Sequence, residues 1–450
     1  MANKDKNFFQ RFISNMDWYL IVSVAVLMGI SFIYIYSAGA NYGMSFRYLS
    51  VQSLAAVIGF IGLLFFTGIN YQYYKHFTKL VYISSLVLLI LVLAFGSVKR
   101  GTRGWFDFGF ISFQPVEIAK IMYILVLASF LDSKAGEVNK ISFFCSVFAI
   151  LFLHLALIMM QPDFSSTLSY FPVTLVLMFA VGVRPFYLLC IILGVVIAAG
   201  IPLIKTFFDM QLRNIQGGTF LTESALFFRD NNIAVYYILV FVLFSIMCIW
   251  WILRKFRSKI SVIYPFILCG VIILGCILSV FVEKSLKDYQ RKRLVVFLDP
   301  QVDPRGSGYN IIQSKIAIGS GKFSGKGFKK GTQTQLGFLP EQHTDFIFSV
   351  IGEEGGWILA QLTLLLYFLF IWRSLIIAKE ARDRYGSLVA SGIAAMFMFY
   401  AVINIGMVMG MMPVTGMPLL LLSYGGSSIF SSLCAVGILC SIHMRKYTYG

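Results

Sequence analysis

The sequence predicts an all-α, polytopic membrane protein. Three observations carry that prediction. The chain of 450 residues is 58% hydrophobic and 13% charged, where soluble domains carry about 25% charged residues. Its mean hydropathy is +0.81. Its apolar residues are gathered into runs close to the roughly 20 residues a helix needs to cross the hydrocarbon core. The strict apolar/polar alternation of a membrane β-barrel is missing.

Twelve such runs can be read in order, at about 18–38, 51–69, 79–96, 113–131, 142–160, 166–182, 186–204, 233–253, 260–282, 344–375, 386–410 and 418–443. The basic N-terminus, "MANKDKNFFQRF", precedes the first run, which has no small-residue cleavage site at its end. That pattern predicts a retained first helix. The sixth run is short and polar at its start, so it is not expected to cross unaided. The tenth is long enough to protrude.

Basic residues set the orientation. With the N-terminus in the cytoplasm, the inside turns hold Lys75, Lys134, Lys140, Arg184, the "RKFRSK" cluster at 254–259, Arg382, Arg384, Arg445 and Lys446. The short outside loops at 39–50 and 411–417 hold only Arg47. This asymmetry is the positive-inside pattern. It puts the loop 96–112, the connection 205–232 and the long polar region 283–342 outside. Loops of that last size are usually functional or disordered. Its interspersed Tyr289, Phe297, Tyr309 and Phe323 predict partial folding against the membrane face.

The net charge of +17 is explained by cytoplasmic loops, since no basic-aromatic groove or nucleic-acid motif accompanies it. The seven cysteines lie in apolar runs with no CxxC pair, which predicts neither disulfides nor a zinc site.

Polar chemistry collects in four places. In "KRGTRGWFDFGFISFQPVEIAK", Lys99, Arg100 and Arg103 fall outside, and Glu117 and Lys120 share a helix face at i, i+3. Ionisable groups inside a span are costly and point to function; the plainer alternative is a structural ion pair. Gln114-Pro115 suits a helix start. In "MMQPDFSSTLSY", Asp163 reads first as a helix N-cap. The third place is "LDPQVDPRGSGYNIIQSKIAIGSG" with its sequel, carrying Asp299, Asp303, Lys315, Lys322, Lys326, Lys329, Lys330 and Gln335. His343 and Asp345 follow, then Glu353 and Glu354 within an apolar helix. One His and one Asp are too few for a metal site. Asp299 and Asp303 each precede a proline, which favours turn or extended backbone. Each can be a turn-maker or a carboxylate that takes a proton from a hydroxyl. In the fourth, Asn404, Pro413, Pro418, Gly425 and Gly426 break the last two helices near their outer ends. Non-helical backbone at that depth must be buried or line a cavity. Together these features predict an outward-facing cavity with a cationic rim and carboxylates inside, suited to an enzyme on anionic lipid or to a transporter.

Several long segments resemble the SEDS family (shape, elongation, division and sporulation proteins), in the family's order: "QPVEIAK" (114–120), "QPD" (161–163), "DPRGSGYNIIQSKIAIGSG" (303–321), "LPEQHTDFIFSVIGEE" (339–354), "NIGMVMGMMPVTGMPLLLLSYGGSS" (404–428) and "SIHMRK" (441–446). "GTQTQLGFLPE" and "YQRKRLVVFLDP" look like the elongation branch, RodA, rather than the division branch, FtsW. The resemblance implies a peptidoglycan glycosyltransferase of the bacterial inner membrane that polymerises lipid II on the extracytoplasmic face during cell elongation. It implies a class B penicillin-binding protein as crosslinking partner within the elongation machinery. No cofactor is required, although Mg or Mn on a pyrophosphate is compatible with it. The implied catalytic carboxylate precedes P-x-G-x-G-Y and lands on Asp303. Arg103, Trp105, Glu117, Lys120, Asp163, Lys315, Gln335 and His343 are the implied substrate-binding candidates.

The sequence departs from the family twice. The Arg usually placed directly before the Trp is here Arg103, two residues before Trp105. The family usually has ten helices, so the resemblance divides this chain into N-terminal helices (1–204), an inserted loop with two extra helices (205–285), an extracytoplasmic catalytic loop (286–342) and C-terminal helices (343–450). The rival reading is a lipid II flippase, with Glu117, Lys120, Glu353 and Glu354 along its path.

Overall fold

The computed structural model describes residues 16–446 apart from 100, 108, 110–111, 215–231, 256–260, 262, 286–295, 298–299 and 301–305. Asp299 and Asp303, the two carboxylates of the polar loop, therefore lie outside the described residues. The chain forms two compact units, one of Met1–Val183 with Ile312–Gly450 and one of Arg184–Ile311.

The first unit begins with α1 (Trp18–Ala38), α2 (Ser45–Gly68), a short α3 (Gln72–His76) and α4 (Thr78–Phe95). An antiparallel three-stranded sheet follows, of β1 (Ser97–Lys99), β2 (Thr102–Asp107) and β3 (Ser112–Phe113) in the order β1-β2-β3. Next come α5 (Pro115–Ser133), α6 (Ile141–Met159) and α7 (Phe164–Val181). The second unit holds α8 (Pro185–Asn214), α9 (Asn232–Lys255) and α10 (Ile263–Ser285), with α10 packed on α8. After α11 (Ser307–Ser320) the first unit resumes with α12 (Thr332–Gln335), α13 (Ile347–Glu380), α14 (Arg384–Val408) and α15 (Gly426–Met444).

Each of the twelve apolar runs has become a helix. Among the described residues, ten of these helices are long and apolar enough to cross a membrane, including α7, the run expected not to cross unaided. Of the others, α5 carries Glu117, Lys120 and Asp132, and the described apolar core of α9 is Val240–Ile252. Helices α14 and α15 are buried along most of their length, whereas α2 and α4 bury little of theirs. The exposed side chains of α2 include Phe60, Ile61 and Phe65. That is an apolar outer face suited to lipid.

The structure differs from the sequence reading at three places. The loop 96–112 carries the small sheet, its turns helped by Gly101 and Gly109 at φ +80° and +81°. The last apolar run does not become helical until Gly426. Residues 413–425 cross this depth as buried, non-helical chain, and side chains satisfy its backbone. Asn404 donates to the carbonyls of Asp345 (2.8 Å) and Met417 (2.7 Å), and Ser31 donates to Leu422 (2.8 Å). Gln52 donates to Ser423 (3.2 Å), and Tyr367 to Leu420. Such pairing is what lets irregular backbone persist where water is scarce. Finally, α13 is two helices meeting at a kink at Gly356, which takes φ 68° and ψ −168°.

Candidate functional site

The break in α13 organises the outer loop. A helix interruption leaves carbonyls and amides without intrahelical partners. Here the segment 321–327 supplies them. Lys326 and Gly327 donate their amides to the carbonyls of Glu353 and Glu354, each at 3.0 Å, while Trp357 and Ile358 donate to the carbonyls of Lys322 (2.9 Å) and Phe323 (3.2 Å). The approach is so close that a Cβ at Gly321 would collide with the Gly352 carbonyl oxygen, and one at Gly325, where φ is +79°, with that of Glu354. This accounts for Gly321 and Gly325 of "GSGKFSGKG".

The two carboxylates at the break complete the clamp. Glu353 is fully buried. It accepts from the Lys326 Nζ (2.8 Å), the Gln333 and Thr334 amides (2.9 and 3.0 Å) and the Thr334 hydroxyl (2.8 Å). Glu354 accepts from the Ser37 hydroxyl (2.7 Å) and from Gln335 Nε2 (3.1 Å). Gln335, a substrate-binding candidate, is thus tied to the clamp. The hydroxyl of Ser314 on α11 donates to the Val408 carbonyl (2.6 Å), fixing the end of the segment that begins beyond Asp303.

Beside this scaffold lies a cavity of about 620 Å³. Its rim carries Arg47 at the start of α2, and Lys99 and Asp107 on the sheet. Trp105 and Thr344 line it, as do Gly425, Gly426 and Ser427 at the N-terminus of α15. Its apolar wall is Val51, Ala55 and Ile58 of α2 with Phe113 and Phe430. Lys99 Nζ contacts Asp107 Oδ2 at 2.7 Å and the Ser112 hydroxyl at 2.6 Å. The Lys99 ammonium holds the exposed Asp107 carboxyl below the usual carboxylate range. Among the described residues no carboxylate pairs with Arg47. Cations and a helix N-terminus at one opening favour a phosphate-bearing group, and the wall of α2 offers a path for its apolar part.

The structure brings some of the candidates to this cavity and gives others different work. Trp105 lines it. His343 lies behind it, buried, stacked on Tyr48 at 4.5 Å between ring centroids. Its carbonyl accepts from the Tyr424 amide. Asp163 caps α7, accepting from the Ser166 amide (3.0 Å) and hydroxyl (2.8 Å) and from Gln114 Nε2 (2.9 Å). The Gln114 amide in turn donates to the hydroxyl of cavity residue Ser427 (2.8 Å). Glu117 and Lys120 form a buried ion pair at 2.7 Å, and Lys120 also donates to the Tyr400 hydroxyl. An ammonium enclosed in this way does not face the cavity. Arg103 turns back to the end of α4, donating to the carbonyls of Ala94 (3.2 Å) and Gly96 (3.3 Å). Lys315 is exposed on α11 and does not line the cavity. Among the described residues no group of three or more His, Cys, Asp and Glu side chains is placed to hold a metal.

A family model described as cell cycle protein, covering FtsW, RodA and SpoVE, matches residues 14–225 and 226–448. The chain belongs to this family. Among its members, the peptidoglycan glycosyltransferase RodA of Treponema pallidum is 36% identical over 447 residues, covering 97% of this chain and 99% of that protein. The peptidoglycan glycosyltransferase MrdB of Escherichia coli is 31% identical over 433 residues, covering 96% and 94%. Among solved structures, a chain from a study of how a peptidoglycan synthase complex coordinates polymerization and crosslinking superposes with a TM-score of 0.65 at 26% identity, covering 96% of this chain and 99% of that one. The rod shape determining protein RodA of Thermus thermophilus shares the fold, with a TM-score of 0.58 at 22% identity over 96% of this chain and 98% of that one.

Arg47 is a part of this cavity that sequence reasoning did not select as a site residue. The available signal was that Arg47 is the lone basic residue of the short outer loops, where charge statistics do not call for one.

Proposed function

We propose that the protein is a peptidoglycan glycosyltransferase that polymerises lipid II during cell elongation. Its N-terminus is cytoplasmic and its active site extracytoplasmic. The observation that carries this reading is the cavity of about 620 Å³, with Arg47 and Lys99 at its rim and an apolar wall along α2. That pairing matches a pyrophosphate joined to a polyprenyl chain.

In the reaction, the acceptor sugar 4-hydroxyl oxygen attacks the donor anomeric carbon. The bond from that carbon to the pyrophosphate oxygen breaks, and undecaprenyl pyrophosphate leaves. Asp303 takes the hydroxyl proton as general base. Negative charge grows on the leaving group, so cations near it stabilise the transition state more than the ground state. Arg47 and Lys99 fill that role, and Trp105 flanks the sugar-phosphate. Asp163 and the Glu117–Lys120 pair act from behind, holding the starts of α5 and α7. A class B penicillin-binding protein crosslinks the glycan. Against the flippase reading, Glu353, Glu354 and Glu117 are each held in closed, structural pairings.

The test is polymerisation of lipid II by purified protein with its partner. Arg47→Ala lowers the rate on the order of 10²-fold, and Arg47→Lys restores part of it, because Lys keeps the charge but not the planar fork. An Arg47→Ala enzyme at wild-type rate would remove Arg47 from the site.

A further inference from the structure

The same unit holds a second cavity, of about 690 Å³, between α4, α5 and α6. It lies at the far end of α2 from the first. We infer that it is a binding site for an anionic glycerophospholipid of the leaflet on that side.

The polar part of its lining is Lys75, His76, Thr78 and Lys79, and among the described lining residues none is acidic. No side chain caps the N-terminus of α4 at Phe77, so the helix presents its own positive end there. The apolar part is Leu80, Val126, Phe130 and Ile150. The site is built before any ligand arrives. Lys75 Nζ is bonded to Asp132 Oδ2 at 2.7 Å, and the Thr78 hydroxyl donates to that of Ser129 at 2.7 Å, which fastens the turn to α5. Among the described residues Lys79 has no such tether, and it is exposed.

The choice of a lipid over a soluble phosphate comes from α4. Leu80, Ile83, Val87 and Ile90 are all exposed. Their spacing of three, four and three places them on one helix face. An acyl chain can therefore continue from the cavity along this stripe while the phosphate meets Lys75 and Lys79. Basic pockets between membrane helices on the cytoplasmic side suit anionic headgroups, each nearby Lys contributing about fivefold in affinity.

The test uses the full-length protein in detergent. It is incubated with phosphatidylglycerol, phosphatidylethanolamine or glycerol 3-phosphate, and bound molecules are counted by native mass spectrometry. The wild type retains phosphatidylglycerol in preference to the other two. Lys79→Gln retains about fivefold less phosphatidylglycerol, Lys79→Glu less still, and neither changes phosphatidylethanolamine retention. Melting temperature without lipid reports whether each variant is folded. Equal retention of phosphatidylglycerol by Lys79→Gln and wild type overturns the site. So does equal retention of phosphatidylethanolamine. Competition by glycerol 3-phosphate as effective as by the lipid overturns the lipid as its occupant.

Discussion

Glu353→Ala removes the acceptor at the centre of the outer clamp. The wild-type carboxylate, fully buried, meets one ammonium, two backbone amides and a buried hydroxyl within 3.0 Å. Breaking a buried ion pair by deleting one partner costs about 3–5 kcal/mol. Lys326 retains some access to water, so its stranding contributes less than that of a sealed ammonium. The Thr334 amide and hydroxyl have no such relief, and each buried unsatisfied donor costs about 1–3 kcal/mol. The two Thr334 donors alone account for about 2–6 kcal/mol, so with the ion pair Glu353→Ala costs at least about 3 kcal/mol. Glu353→Gln keeps the shape and one acceptor oxygen but loses the charge, which puts it at about 1.5–3 kcal/mol. Lys326→Met leaves the fully buried carboxylate without its ammonium, so it also destabilises, by about 3 kcal/mol. Thermal unfolding in detergent gives the rank order, and hydrogen exchange locates the change. Faster exchange is expected in 321–335 before the rest of the protein opens. A Glu353→Ala protein within about 0.5 kcal/mol of wild type, with exchange unaltered in that loop, would refute the clamp.

The glycine junction makes a second prediction. Gly325→Ala adds a Cβ at a positive φ and against the Glu354 carbonyl, so it destabilises by more than about 1 kcal/mol. Gly319→Ala, whose Cβ would meet open space, leaves the melting temperature unchanged. A third concerns α9 and α10, which we propose are an insertion with a peripheral role in partner or lipid contact. Deleting about 210–280 and relinking the ends retains polymerase activity in a folded protein; complete inactivity of well-folded material would contradict it.

The spans were legible because apolar length is a local property, and each of the twelve runs produced a helix. The break at Gly356 was not, because hydropathy does not register which distant amide will satisfy a carbonyl. Glu353 and Glu354 consequently read as residues within one long helix, whereas the segment 321–327 inserts its backbone at that point. The glycines of that segment were visible, but their partner, some thirty residues onward, was not. The last apolar run was misjudged for a related reason. Leu419 to Leu422 look like the start of a span, yet Asn404, Ser31 and Gln52 hold the backbone in a non-helical path. At the site, Trp105 was legible from its motif. Lys120 was legible as an ionisable residue within a span but not as enclosed, since only the fold brings Tyr400 over it. Arg103 is chemically a plausible phosphate ligand, and its turn towards the end of α4 could be seen only in three dimensions.

The central claim is that the outer loop supplies a general base to a glycosyl transfer. The most direct measurement is the rate of lipid II polymerisation by purified Asp303→Asn, beside Asp299→Asn, with the partner present. Asparagine favours the same turns as aspartate but cannot take the proton. The account predicts a loss of about 10²–10⁴-fold for Asp303→Asn, a much smaller effect for Asp299→Asn, and normal thermal stability for both. An Asp303→Asn enzyme that polymerises at near wild-type rate would contradict it, and wild-type protein that moves lipid II across vesicles without polymerising it would establish the flippase in its place.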